Sequence, residues 1–368
     1  MALNTLLTQQ IKKIVEDRYD LGMFAGAEII HGGTVNTSFQ VRISGHKKRG
    51  RFFLREYNPA IRKQGIRFEH ALLNHLRNSG FDLISVPIPA RDGATFFPNP
   101  PSSPMTRNDT FWAMFDFLEG EDKYTWTDTH LTDREFASSA SILARLHHHG
   151  ALFVKPAHTD RAQPPIMHFL PILKRNFTVF AASMHNGQCT TLFKAHAHRI
   201  ASILDGGIAD RKRYQGMPKV PIHCDYHPGN LKFENEKGVG LFDFDWSKID
   251  YRLFDVALGL IYFTAQWQGA GAGSLRLRPF SLFLGTYRDA CARLEHPGPM
   301  TPRELQALMP MLAFANLYVL NWSVTDFLEK EDAEDDEYYP FIRHGIRLMQ
   351  WIEDNGKVLT EVIKDATA

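Results

Sequence analysis

Ser38–Ile43 alternates Phe39, Val41 and Ile43 with Gln40 and Arg42, and that period of two predicts a half-buried strand. After the polar SGHKKRG comes Arg51–Tyr57, with Phe53, Arg55 and Tyr57 on a common face. Two such runs around a short polar loop predict a hairpin. Across Arg67–Asn78 the period changes. Phe68, Leu72, His75 and Leu76 recur at helical spacings, and Asn78–Ser79–Gly80 stops the helix. Val86–Ala90 and Trp112–Leu118 are predicted as further strands, with the proline-rich Phe97–Pro104 as a surface loop between them.

From about Glu121 the pattern is helical. Thr132 and Glu135 fit a capping box opening a helix with Phe136, Ala140, Leu143 and His147 on one face, ended by Gly150. Thr301–Pro302–Arg303–Glu304 is a second capping box with proline at the first helical position. Its helix is expected to run through Leu317 and Trp322 with a bend at Pro310. Tyr339–Asn355 reads as another helix, and no internal repeat is visible. The shift from strands to helices puts a boundary near residues 116–121.

Composition narrows the function. The chain has 368 residues, enough for about two domains or one domain with two lobes. Lys plus Arg is 42 and Asp plus Glu is 41, a formal charge of +1. That balance argues against a nucleic-acid partner, which calls for a basic excess or stripe, and points to small-molecule work. Cys189, Cys224 and Cys291 are too few and too scattered for a disulfide framework or a CxxC metal site, which suits a reducing compartment. The N-terminus lacks the features of a signal peptide. Leu253–Phe263 carries Asp255 and is far shorter than the ~20 residues of a membrane span. A soluble cytoplasmic protein with no membrane partner is expected.

Candidate chemistry is concentrated in Pro221–Val256. His223, Asp225 and Asn230 read H-x-D-x-x-x-x-N, and Val239–Phe242 reads as a strand running into Asp243–Phe244–Asp245. Phosphoryl transfer needs a carboxylate beside the acceptor hydroxyl and oxygen ligands for Mg²⁺. Asp225 fits the base or orienting group, Asn230 a carbonyl-oxygen ligand and Asp243 the main metal carboxylate, and the Asp-to-Asn step of five matches a kinase catalytic loop. Turn punctuation could explain the loop alone, but not the whole ordered series.

HCDYHPGNLKF followed by GLFDFDWSKIDYRLFDVAL resembles the aminoglycoside phosphotransferase, choline kinase and homoserine kinase superfamily. Cys224 stands where the family usually has glycine. The resemblance implies an α+β, bilobal, protein-kinase-like fold. A small antiparallel-sheet N-lobe (1–115, with an N-terminal helix) leads through a hinge (116–121) to a larger, mainly helical C-lobe (122–368). It implies ATP and Mg²⁺ as cofactors and makes His223 and Asp225 the catalytic residues. Asp255, in Asp255–Val256–Ala257, becomes the aspartate that braces the loop. HGGTVNTSFQV resembles the family's glycine-rich turn, putting Gly32, Gly33, Asn36 and Thr37 at the phosphates. FFLREYN resembles the strand bearing the phosphate-contacting cation, here Arg55, with Glu69 as its ion-pair partner. WAMFDFLEGED resembles the hinge, where Asp116, Phe117 and Leu118 would meet adenine. SILARLHHHG resembles the family's helix ending in a Leu-His pair. The likeness spans roughly residues 25–265 and is weak beyond.

Other features read as structure. His147–His148–His149 point in different directions on a helix and do not converge on one ion. His223, Asp225 and His227 lack a further ligand for a structural zinc. Gly269–Ser274 lacks the lysine of a P-loop and reads as a connection. Glu329–Glu337 has seven acidic residues in nine, a solvated segment in one reading and an attractor of a cationic substrate in another. Trp322, Tyr338, Tyr339 and Trp351 are core, or an aromatic wall for an amine. The expected activity is transfer of the γ-phosphoryl group of MgATP to a hydroxyl of an amino alcohol or of a homoserine-like, choline-like or aminoglycoside-like molecule. A protein serine/threonine kinase, a nucleotide-binding pseudokinase scaffold and a metal-dependent hydrolase are the alternatives.

Overall fold

The computed structural model describes residues 5–30, 36–45, 50–99, 110–128, 130–161, 163–185 and 187–366. Its chain divides into two compact units: Met1–Glu119 with Val154–Ala162 and Gly240–Asp245, and Gly120–Phe153 with Gln163–Val239 and Trp246–Ala368.

In the first unit, α1 (Thr5–Arg18) precedes β1 (Met23–Ile30), β2 (Thr37–Ser44) and β3 (Arg51–Glu56). Then come α2 (Lys63–Asn78), the two-residue β4 (Phe97–Pro98) and β5 (Phe111–Asp116), giving an antiparallel sheet in the order β1-β2-β3-β5-β4. The predicted β2–β3 hairpin forms, with Phe39 opposite Leu54 and Val41 opposite Phe52. Alternation sorts the two faces. Phe39, Val41, Ile43, Phe52, Leu54, Trp112 and Met114 pack with Ile11, Ile14 and Val15 of α1, each large side chain worth about 1.5–3 kcal/mol on burial. The opposite face, with Phe53, Arg55 and Tyr57, meets α2 through Glu69 and His70.

Val86–Ala90 does not form the predicted strand. It makes the isolated bridge Pro87–Phe115, with Ile88 N–H bonded to Met114 O at 2.7 Å and Val86 O accepting the Asp116 N–H at 3.2 Å, and goes no further because Pro87 and Pro89 have no N–H to extend a ladder. The helix predicted from Arg67 begins at Lys63, a turn earlier.

The second unit is helical. Its elements are α3 (Asp133–Gly150), α4 (Ile166–Ala182), α5 (Gln188–Ala209), β6 (Lys219–Ile222), β7 (Leu231–Glu234), β8 (Lys237–Leu241, whose end belongs to the first unit) and β9 (Lys248–Tyr251). They are followed by α6 (Arg252–Thr264), α7 (Leu277–Ala292), α8 (Pro302–Glu329), α9 (Asp335–Asp354) and α10 (Gly356–Asp365). Two small antiparallel pairs, β6–β9 and β7–β8, flank the chemistry-bearing segment. Both predicted capping boxes are present, at Thr132–Glu135 and Thr301–Glu304. The buried Glu304 also holds the buried Arg252 at 2.7 Å, so one carboxylate caps α8 and ties it to α6. By length and composition α8 could cross a membrane, but 67% of its apolar window is buried in this unit. Every residue of α6 is buried, including Arg252 and Asp255, whose charges are met by Glu304 and by the His223 and Cys224 N–H groups.

Candidate active site

In the first unit a charged cluster forms around Arg55. This guanidinium is 8% exposed, and its Nη1 donates to Asp245 Oδ1 at 2.7 Å and to Glu69 Oε1 at 3.3 Å. Its Nε is buried with no partner among the described residues. Asn36 reinforces the arrangement, donating from Nδ2 to the Asp245 carboxylate and accepting the Asn58 N–H at 2.9 Å. Tyr57 Oη donates to Glu69 Oε2 at 3.2 Å and meets His70 Nε2 at 3.0 Å. Two acids thus share one cation. Burial works against the Arg55 charge, but Asp245 and Glu69 outweigh it and raise its pKa. Burial and the Asp245 charge push Glu69 up to about 7, and burial pushes His70 down to about 3.

Arg161, which sequence reasoning missed, donates to Gly65 O at 2.9 Å and to Phe244 O at 3.0 Å, joining the start of α2 to the Asp-Phe-Asp segment. Asp243 sits at φ +66°, a left-handed conformation costing a non-glycine residue about 1–3 kcal/mol and clustering at functional sites. Thr37 opens β2, exposed and paired with Glu56. Gly32 and Gly33 lie outside the described residues. Asp116 ends β5. Its N–H bonds Val86 O at 3.2 Å, its carbonyl accepts from Ser85 Oγ at 2.5 Å, and its carboxylate takes the Val86 N–H at 2.5 Å and Arg77 at 3.1 Å. Its polar groups are therefore committed to this unit, and the nearby Phe117 ring lies 4.7 Å beneath the Arg51 guanidinium. Leu118 is half-buried.

In the second unit the loop after β6 carries His223, Asp225 and Asn230. Asp255, at the start of α6, accepts the N–H groups of His223 and Cys224, both at 2.8 Å. His147 Nε2 lies 3.1 Å from the same carboxylate, and His147 Nδ1 lies 2.7 Å from Tyr287 Oη. The Leu-His pair of α3 therefore braces the loop from behind. Cys224 is held at φ +66°, its Sγ donating to Tyr318 Oη at 3.3 Å. His223 is fully buried, its ring edge-on to Tyr226. Asn230 spends its amide NH₂ on Asp225, at 2.9 Å to the carbonyl and 3.2 Å to Oδ2, leaving its oxygen as the acceptor end. His227 Nε2, considered in the sequence only as a zinc ligand, approaches Asp225 Oδ2 at 3.4 Å. Burial alone would raise the Asp225 pKa, but His227, His223 and Asn230 together hold it below the ordinary value.

The described residues contain no group of three His, Cys, Asp or Glu side chains able to cage an ion. An amide oxygen and a carboxylate suit a hard cation that keeps waters and phosphate oxygens as its remaining ligands. The acidic run is partly committed: Glu337 pairs with Lys330 at 2.7 Å, and Asp335 accepts from the first amides of α5. Tyr338 packs on Phe327, and Trp322 on Trp246 and Tyr318.

An antiparallel five-stranded sheet, a helical unit, an H-x-D-x-x-x-x-N loop and an Asp-Phe-Asp segment define a protein-kinase-like phosphotransferase. The model of the phosphotransferase enzyme family matches residues 26–280, and the chain belongs to that family of kinase enzymes. Homoserine kinase from Nitrobacter hamburgensis is 25% identical over 315 residues, covering 84% of this chain and 82% of the relative. Among solved structures, a microcompartment-associated aminopropanol kinase is similar with TM-score 0.66 and 17% identity, covering 96% of this chain and 98% of that one. Spectinomycin phosphotransferase in complex with ADP and spectinomycin is similar with TM-score 0.64 and 13% identity, over 95% and 99%.

Proposed function

We propose that the protein transfers the γ-phosphoryl group of MgATP to a hydroxyl of a small molecule. The acceptor oxygen forms the new bond to phosphorus, the bond from phosphorus to the bridging oxygen breaks, ADP leaves, and the hydroxyl proton passes to Asp225. The observation that carries this reading is Asp225 itself, on a loop fixed by Asp255 and kept ionised by His227, His223 and Asn230. A carboxylate with a lowered pKa is a weak base. It orients the hydroxyl and receives the proton late, as suits a loose phosphoryl-transfer transition state.

The residues fit a magnesium-bound nucleotide. Asn230 Oδ1 and the Asp243 carboxylate would hold the ion, and Arg55, with its spare Nε, would hold phosphate oxygens. When bound, Mg²⁺ neutralises the phosphate charge. Glu69 and Asp245 keep Arg55 in place. We assign phosphate contacts to Gly32, Gly33, Asn36 and Thr37, and adenine contacts to the 116–121 segment. Since the Asp116 main chain is engaged, Phe117 and Leu118 would make the latter. Residues 1–115 would serve the nucleotide and 122–368 the loop and acceptor, in the cytoplasm. Homoserine, aminopropanol and spectinomycin, from the relatives' names, are starting acceptors. Incubation with γ-labelled ATP tests the reading. Label in a small molecule supports it, whereas label only in protein, or no transfer to any acceptor, overturns it.

A further inference from the structure

Asp255 holds the Asp225 loop by its backbone, and a second contact in the helical unit takes the loop by a side chain. Cys224 Sγ donates to Tyr318 Oη of α8 at 3.3 Å, and that hydroxyl donates in turn to Gln163 Oε1 at 2.5 Å. Cys224 and Tyr318 are both buried. Around the Tyr318 ring pack Phe254 at 5.3 Å, Phe169 at 5.6 Å and Trp322 at 6.3 Å. The buried Lys248 of β9 places its ammonium 5.5 Å from the centre of the same ring. That ammonium donates to Pro164 O at 3.0 Å and lies 3.8 Å from Asp250 Oδ2, while Asp250 accepts the Ile166 N–H at 2.6 Å. The phenol is thus fixed by packing, and the segment carrying its acceptor Gln163 by Lys248 and Asp250.

Stability alone does not account for this contact. Cys224 sits at φ +66°, a region that is costly for any residue with a Cβ and that glycine enters freely. A thiol is a weak donor. What the buried side chain and its hydrogen bond contribute is set against that strain, so little net gain remains. Strain of this kind persists where the surroundings over-determine it, and it gathers at functional sites. Here the surroundings are Asp255 on the amides and Tyr318 on the thiol, and the next residue is the proposed base.

We propose that Cys224 and Tyr318 are positioning residues, whose thiol–phenol contact sets the backbone at residue 224 and with it the aim of the Asp225 carboxylate; the inference rests on the kinase reading above. Both Asp255 bonds end on amides that precede the Cys224 Cα, so they leave rotation at that carbon unopposed. The thiol is carried by that same carbon. Fixing the sulfur therefore fixes the rotation, and the chain leaves for Asp225 in one direction. Beyond it Asn230 takes the Asp225 carbonyl and carboxylate. Burial raises the pKa of both the phenol and the thiol, so each keeps its proton at neutral pH and the thiol donates while the phenol accepts. Alignment at this point matters, because a reacting group displaced by ~1 Å can cost about 10²-fold in rate.

The test measures ATP consumption by the full chain with homoserine, aminopropanol and spectinomycin as acceptors, and with water alone, beside melting curves. Tyr318→Phe and Cys224→Ala should each lower kcat about tenfold, the cost of a shift smaller than 1 Å. KM for MgATP should stay nearly unchanged, because neither variant touches the groups assigned to the nucleotide. Cys224→Ser keeps a donor on the same Cβ and should recover most of the turnover that Cys224→Ala loses. The double variant Cys224→Ala with Tyr318→Phe should lose no more than either single one, since both break one contact. Unchanged kcat in the single variants, losses that multiply in the double variant, or no recovery with serine overturns the inference and leaves the kinase reading standing. Failure of the wild type to consume ATP with any acceptor or with water overturns the kinase reading, and the positioning role with it. If Tyr318→Phe fails to fold, the comparison of Cys224→Ala with Cys224→Ser decides the point.

Discussion

Glu69 and Asp225 are both carboxylates held by polar side chains, yet their protons are held in opposite ways. Glu69 competes with Asp245 for the single Arg55 guanidinium, and burial together with that second negative charge lifts it to about 7. Asp225 has no such rival among its closest partners. Imidazoles and an amide face it, and its pKa falls despite burial. Crowded acids around one cation form a device for holding the cation, and one of them can give up its charge. An acid ringed by donors is kept charged for use.

The sharpest way to break this comparison is Asp225→Asn. We expect kcat for phosphoryl transfer to fall by ~10²–10⁴-fold with the melting temperature nearly unchanged; full turnover would remove Asp225 from the chemistry. Asp255→Ala should cost about 2–5 kcal/mol in denaturant unfolding, because it strands two buried N–H groups; wild-type stability would show that the loop holds itself. Asp243→Ala should abolish the Mg²⁺-dependent part of nucleotide stabilisation, which is about 2.7 kcal/mol for a ligand at a hundred times its Kd. A melting shift equal to wild type would exclude Asp243 from the metal.

The smallest effect belongs to Glu69. Its folded pKa of about 7 exceeds the ordinary 4.5, so the native state binds that proton more tightly than the unfolded chain. Its stabilising contribution is complete below pH 4.5 and is lost as pH rises through about 7, with a slope of at most ~1.4 kcal/mol per pH unit. Glu69→Gln should flatten the stability profile in that window, read by denaturant midpoints at several pH values. An unchanged slope would mean that Glu69 titrates normally. Asp225 has the opposite sign: its contribution is present above the ordinary 3.8 and lost in acid.

Much of this fold is legible in the sequence where local rules suffice. Alternation in Phe39–Ile43 sets the β2 face, and the two threonine–glutamate capping boxes open α3 and α8 as written. The Val86–Ala90 misreading shows the limit, since apolar alternation ignores what prolines 87 and 89 take from the backbone. The loop motif can be read because it is contiguous. Asp245 as a clamp on Arg55, Arg161 at Phe244 O and His227 at Asp225 could be seen only once the chain was folded.

Cys224, next to Asp225 and in a conformation usually left to glycine, has one more consequence. All three cysteines are buried and unpaired, and burial pushes the Cys224 thiol up to about 11, Cys189 up to about 12 and Cys291 upward as well. The thiolate is the form that alkylating reagents and peroxide attack, and almost none of it exists here at neutral pH. A cysteine one residue from the proposed base should therefore be chemically silent, so that transfer survives iodoacetamide and air.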